Sequence, residues 1–78
     1  MTNDEPMQVE PLGSRIRRIR QELGLTQDGL ALKAHVDQSS LSKLERLKQR
    51  RMGPVQLTRM AKVLGLTLDE LVEGTDYR

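Results

Sequence analysis

The stretch TQDGLALKAHVDQSSLSKLER, residues 26–46, decides the fold of this chain. It holds two short helical patterns separated by a tight turn. Thr26 is a helix N-cap residue, and Gln27 and Asp28 follow in the first turn, where exposed backbone N–H groups favour a carboxylate. Leu30, Ala31 and Ala34 then form a narrow apolar stripe. Asp37 can cap a second helix, in which Leu41 and Leu44 lie three apart and face inward. Gln38, Ser39, Ser42 and Lys43 are left outside, and such side chains can hydrogen-bond to base edges and phosphates. Two helices meeting in this way match the layout in which one is held rigidly while its neighbour enters the major groove of DNA.

The flanking sequence supplies three more helices. Leu12, Ile16, Ile19 and Leu23 step along one face of a first helix over 12–23, with Arg15, Arg17, Arg18 and Arg20 spread over the rest. The tetrapeptide Leu-Gly-Leu-Thr occurs at 23–26 and again at 64–67. Each copy can make a complete junction: the glycine ends one helix in the left-handed conformation, the leucine packs back, and the threonine caps the next. A fourth helix is expected over 54–64, with Pro54 in the first turn, where a missing N–H costs nothing, and Leu57, Met60, Ala61 and Leu64 buried. A fifth follows Thr67, with Glu70 completing a capping box, carries Leu68, Leu71 and Val72, and stops at Gly74.

Length and composition bound the possibilities. Seventy-eight residues allow one domain with a small core, and the core must be aliphatic because Tyr77 is the only aromatic residue. Among the methionines only Met60 falls on a buried stripe. The chain has no cysteine, which excludes disulfides and thiolate metal sites and suits a reducing cytoplasm. No apolar run approaches the roughly 18 residues of a membrane span, and the opening MTNDEPMQVEP lacks the layout of a signal peptide. A cytoplasmic protein is expected. Residues 1–11 read as a flexible tail, 12–74 as the folded domain, and 75–78 as a short C-terminal tail.

The net charge of +2 hides a strong asymmetry. Residues 12–62 carry twelve Lys/Arg against Glu22, Asp28, Asp37 and Glu45 alone, while the other acids lie in the first and last ten residues. A basic centre between acidic ends is what a face meeting a polyanion requires, although solvated helix surfaces are also often basic.

The motifs together resemble the helix-turn-helix of the phage repressor and Cro family, also called the XRE family. The matching elements are Thr26-Gln27, Leu30-Ala31 and Ser40-Leu41-Ser42 ahead of Glu45. The wider frame is similar too: Arg17 and Arg20 in the first helix, Leu-Gly-Leu-Thr-Gln at 23–27, and Met60-Ala61-Lys62-Val63-Leu64-Gly65 in the fourth. The resemblance spans about residues 12–74. It implies an all-α, compact five-helix, lambda-repressor-like DNA-binding domain with helices 2 and 3 as the helix-turn-helix. The implied function is a sequence-specific double-stranded-DNA-binding transcriptional regulator, acting as a homodimer on a roughly palindromic operator, similar to restriction–modification controller proteins.

Carried over position by position, the resemblance gives Gln38, Ser39 and Lys43 as base-reading residues. Glutamine can pair with adenine through two hydrogen bonds, and lysine can donate to guanine. Gln27, at a helix N-terminus, is implied as a phosphate ligand. Ser40 and Ser42 are further phosphate candidates, though serine is common on any helix surface. Lys48, Arg50 and Arg51 belong to a basic loop that meets the DNA backbone in the family, the role of each arginine being left open. Arg20 and Glu45 are implied as a structural salt bridge between the first and third helices. Leu66, Leu68, Leu71 and Val72 are expected to form the dimer contact, or to close their own core.

Three positions depart from the family pattern. His35 stands in the turn where glycine is common, and a positive φ is expected there. Gly29 replaces a better helix former, at about 1 kcal/mol. Leu47 stands where a glycine ends the recognition helix; because leucine resists the left-handed conformation, the third helix is expected to run on toward Gln49.

Other classes fit less well. One histidine, no cysteine and no glycine-rich phosphate loop before a Lys-Ser/Thr pair argue against an enzyme, a metal site or a cofactor. No aromatic platform exists for single-stranded nucleic acid, and no small-molecule ligand is indicated. The alternative is an antitoxin or co-regulator that uses the same fold mainly to bind a partner protein.

Overall fold

A computed structural model describes residues 9–77. Five helices follow one another: α1 (Leu12–Glu22), α2 (Gln27–Ala34), α3 (Gln38–Glu45), α4 (Pro54–Val63) and α5 (Leu68–Val72). α1 packs on α3 and α5, and α2 packs on α3 and α4, so α3 is held from two sides. The core is aliphatic, with Leu12, Ile16, Leu30, Leu41, Leu44, Leu57, Met60 and Leu71 fully enclosed.

Both Leu-Gly-Leu-Thr junctions form in the same way. Gly24 and Gly65 take φ of 72° and 79°, and the following leucine amides donate back to Arg20 O and Ala61 O at 3.0 and 2.8 Å. Thr26 then accepts from Gly29 N, and Thr67 from Glu70 N, with the Glu70 carboxylate returning to Thr67 N at 2.9 Å.

The inner face of α1 differs from the expected stripe. Leu12 and Ile16 are buried, but the helix stops at Glu22, and Leu23, as its C-cap, is 53% exposed. Gly13 and Arg20 fill the inner face instead. Gly13 lies so close to α3 that a Cβ there would run into the Leu44 carbonyl. Met52 is a second core methionine beside Met60, because the loop before α4 folds back over the core.

The third helix does not run on. It ends at Glu45, and Leu47 adopts the left-handed conformation with φ of 61°. Leu47 N donates to Leu44 O at 3.2 Å and Lys48 N to Lys43 O at 2.8 Å, the two bonds of a Schellman cap. The left-handed conformation costs leucine energy, and that cost taken alone favours a longer helix. The two capping bonds and the buried Met52 downstream offset that cost.

The N-terminal tail expected over 1–11 lies partly outside the described residues, which exclude 1–8. Glu10, however, is tied down. Its amide donates to Gly74 O at 3.1 Å, and its carbonyl accepts from Asp76 N at 3.1 Å, forming a parallel bridge with Thr75. Asp76 Oδ1 accepts from Leu12 N at 2.9 Å, capping α1 where Pro11 gives no side-chain cap.

Candidate nucleic-acid interface

The interface is built from α2, the turn and α3. α2 closes at His35, whose φ of 56° is the positive value the turn requires. Val36 N donates to Ala31 O at 3.0 Å, which reverses the chain sharply. Asp37 then caps α3 by accepting from Ser40 N at 3.0 Å. With Leu41, Leu44 and Glu45 buried, the helix turns Gln38, Ser39 and Lys43 to solvent together. Ser42 is half-buried on the edge of this face. Ser40 differs from the other candidates, because its hydroxyl lies within 3.2 Å of Asp37 Oδ2 and is engaged in the cap.

Beneath the face lies an ion pair. Arg20 Nε and Nη2 donate to the two oxygens of Glu45 at 2.8 and 2.7 Å, and Arg20 Nη1 donates to Leu25 O at 2.8 Å. Both residues are buried, at 9% and 5% exposure. The hydrogen bonds to Glu45 hold the Arg20 guanidinium above its ordinary value; burial opposes this and the Glu45 charge adds to it. The pair fastens the last turn of α3 to α1 and to the start of the α2 junction. Gln27 Nε2 reaches the same carboxylate at 3.1 Å, and Gln38 Nε2 donates to Gln27 Oε1 at 2.9 Å. Gln27 and Gln38 are therefore brought into direct contact.

Lys48, Arg50 and Arg51 are exposed along the loop after α3, which is braced by a bond from Gln49 Nε2 to Arg51 O at 2.7 Å. Among the described residues, Lys43, Lys48, Arg50 and Arg51 enter no ion pair. Two further arginines join the site. Arg17 and Arg46 line a hollow with Arg20, Gln27 and Glu45. Both are exposed, so they add positive charge beside Gln27. In the sequence Arg17 stood out only as part of the family frame, with no DNA-binding role attached, and nothing set Arg46 apart from the neighbouring basic residues.

The four residues expected at a dimer contact are not equivalent. Leu66, Leu68 and Val72 are partly exposed, whereas Leu71 is fully enclosed in its own core. Leu71 cannot reach a second chain, because α5 turns it toward α1 and α4.

Among the described residues no group of His, Cys, Asp and Glu could hold a metal, and no helix is long and apolar enough to cross a membrane.

The helix-turn-helix family model matches residues 16–71. The uncharacterized HTH-type transcriptional regulator y4dJ of Sinorhizobium fredii is 38% identical over 65 residues, covering 83% of each chain. SinR of Bacillus subtilis, in its structure in complex with DNA, superposes with a TM-score of 0.75 at 34% identity, covering 80% of this chain and 98% of that one. This chain spans only 60% of the SinR chain in the SinR/SinI complex. The P22 c2 repressor, in complex with a synthetic operator, superposes with a TM-score of 0.72 at 29% identity, covering 85% of this chain and 98% of that one. With its five-helix, lambda-repressor-like architecture, this chain belongs to the XRE (Cro/C1-type) helix-turn-helix family of DNA-binding transcriptional regulators, which are not enzymes.

Proposed function

We propose that the protein acts in the cytoplasm as a homodimer that reads a roughly palindromic operator in double-stranded DNA. The observation that carries this reading is the exposed row Gln38, Ser39 and Lys43 on a helix fixed by a side-chain cap, a left-handed turn and a buried ion pair. Gln38, Ser39 and Lys43 read base edges in the major groove. Gln27 and Ser42, with Lys48, Arg50 and Arg51, grip phosphates, and Arg17 and Arg46 extend that grip along the strand. Ser40 contributes to phosphate binding only by giving up its bond to Asp37. The partly exposed Leu66, Leu68 and Val72 provide the contact between two copies, which sets the recognition helices about 34 Å apart, the spacing of this family's dimers.

Titration of duplex DNA at several salt concentrations tests the electrostatic part. Affinity falls steeply with salt, and Arg50→Ala weakens every sequence alike while reducing the log–log slope by about one. A complex insensitive to salt overturns this assignment. The reading as a module that mainly holds a partner protein is favoured by one observation, the complex of the similar SinR with SinI. Weak, salt-insensitive DNA binding is the outcome that supports it.

A further inference from the structure

One face of α1 is wholly polar. Ser14, Arg17, Arg18 and Gln21 fall at i, i+3, i+4 and i+7, opposite the buried Leu12, Gly13, Ile16 and Arg20. With Arg46, just past the end of α3, they line an open hollow that adjoins the one shared by Arg17, Gln27 and Arg46. The polar surface beside Gln27 therefore continues along α1. Its arginines differ in state. Arg17 and Arg46 enter no ion pair among the described residues, whereas Arg18 is flanked by two acids. Arg18 Nη2 donates to Glu10 Oε1 at 3.0 Å, Arg18 Nε donates to Glu10 Oε2 at 3.4 Å, and Glu22 Oε2 lies 4.0 Å from Nη1.

Guanidinium groups beside a hydroxyl and an amide are the donors that a phosphodiester takes, and a guanidinium meets phosphate through two parallel bonds. Glu10 engages Arg18 in that same forked manner, through Nε and Nη2, so its carboxylate stands where a phosphate would bind. The two arginines that hold Glu10 are unequal. Arg15 is largely covered, its Nε meets Glu10 Oε1 at 2.8 Å, and its Nη1 donates to Glu70 O at 3.3 Å. Arg18 is half exposed, and an exposed pair is weakly held. Backbone bonds to Gly74 and Asp76 also fix Glu10, which therefore stays in place when Arg18 leaves. We propose that the α1 hollow is a second site for the DNA backbone and that Glu10 is its built-in competitor: Arg18 pairs with Glu10 in the free protein and with a phosphate in the complex. The proposal rests on the reading of the protein as a duplex-DNA binder and deepens it, without requiring that α3 read bases. Phosphate contacts carry no sequence information, so Glu10 sets the sequence-independent part of the affinity.

Titration of the full chain with duplex DNA over a range of salt tests this for wild type, Glu10→Gln, Arg18→Gln and the double variant. Glu10→Gln keeps the backbone bridge and a hydrogen-bonding side chain. It should bind every duplex about three- to tenfold more tightly, and the gain should shrink as salt rises. Arg18→Gln should weaken binding to every duplex and lower the log–log slope by about one. In the Arg18→Gln background the gain from Glu10→Gln should vanish, because both changes act on one contact. A gain that persists without Arg18 overturns the exchange, since Glu10 then acts only as a distant charge. Binding by Glu10→Gln no tighter than wild type overturns it as well. A second readout is the arginine Nε–H resonances in nitrogen-15 spectra. On addition of duplex DNA the Arg18 resonance should move while that of Arg15 stays. A stationary Arg18 resonance in a protein that selects a duplex sequence overturns the α1 site alone. The expected Arg18 responses in a protein with no sequence preference support the α1 site and overturn base reading by α3. Failure of the wild type and all three variants to bind duplex DNA overturns both.

Discussion

Leu47 shows how one residue can be placed against its own preference. It is 54% exposed and sits at φ of 61°, so it gains little burial for a conformation that costs an L-residue about 1–2 kcal/mol. Leu47→Gly should therefore stabilise the protein by about 1 kcal/mol, the relief of strain exceeding the extra freedom of glycine in the unfolded chain. Urea unfolding measures this, and a loss of stability would show that the Leu47 side chain makes a contact worth more than the strain. His35 meets the same backbone demand at φ of 56°, and there the sequence was readable, because the family pattern places a glycine in that turn. At Leu47 the same clue was present, but leucine's preference pointed the other way. The deciding facts were two backbone bonds and the burial of Met52, none of which has a local signature.

At the scale of elements, the two Leu-Gly-Leu-Thr junctions were legible because every feature is local: a glycine at φ near 75°, a returning leucine amide and a threonine cap. The helix-turn-helix was legible for the same reason, with Asp37 capping α3 and Leu41 and Leu44 turned inward. The packing of α1 on α3 was not. Gly13 looks like a poor helix residue in a first turn, and its purpose becomes visible only against the Leu44 carbonyl across the interface. Gly13→Ala should push the last turn of α3 off α1 and cost about 1–3 kcal/mol, as overpacking does. Thermal unfolding tests this; a neutral substitution would mean that the two helices separate without penalty. The same packing explains why Arg20 rather than Leu23 occupies the inner face. The position facing Glu45 needs a buried cation, while Leu23 has already left the helix.

Across the whole molecule, the two ends of the domain are joined. Glu10 binds the Gly74–Asp76 segment through its backbone, and its carboxylate meets Arg15 at 2.8 Å and Arg18 at 3.0 Å. Partial burial pushes the Glu10 carboxyl up, but the hydrogen bonds and charges of Arg15 and Arg18 outweigh it and hold the group below the 4.5 of a free glutamate. A lowered folded value means that the contribution is complete above the unfolded value and is lost as pH falls through the folded one. The melting-temperature difference between wild type and Glu10→Gln should therefore be constant from about pH 7 to pH 5 and shrink below about pH 4.5. A difference that grows in acid would contradict the clasp. The charge asymmetry read from the sequence also takes shape at this scale. Lys43, Lys48, Arg50 and Arg51 stand exposed along α3 and the loop after it, while Glu10 and Asp76 are occupied at the joined ends.

The central claim is that two copies of α3 read duplex DNA in successive major grooves. Selection of bound sequences from a pool of random duplex DNA tests it most directly. The account predicts enrichment of two inverted half-sites, centred about one helical turn apart, with adenine preferred at one position of each. Enrichment of a single half-site would contradict the dimer, and recovery of no sequence above background would contradict base reading by α3.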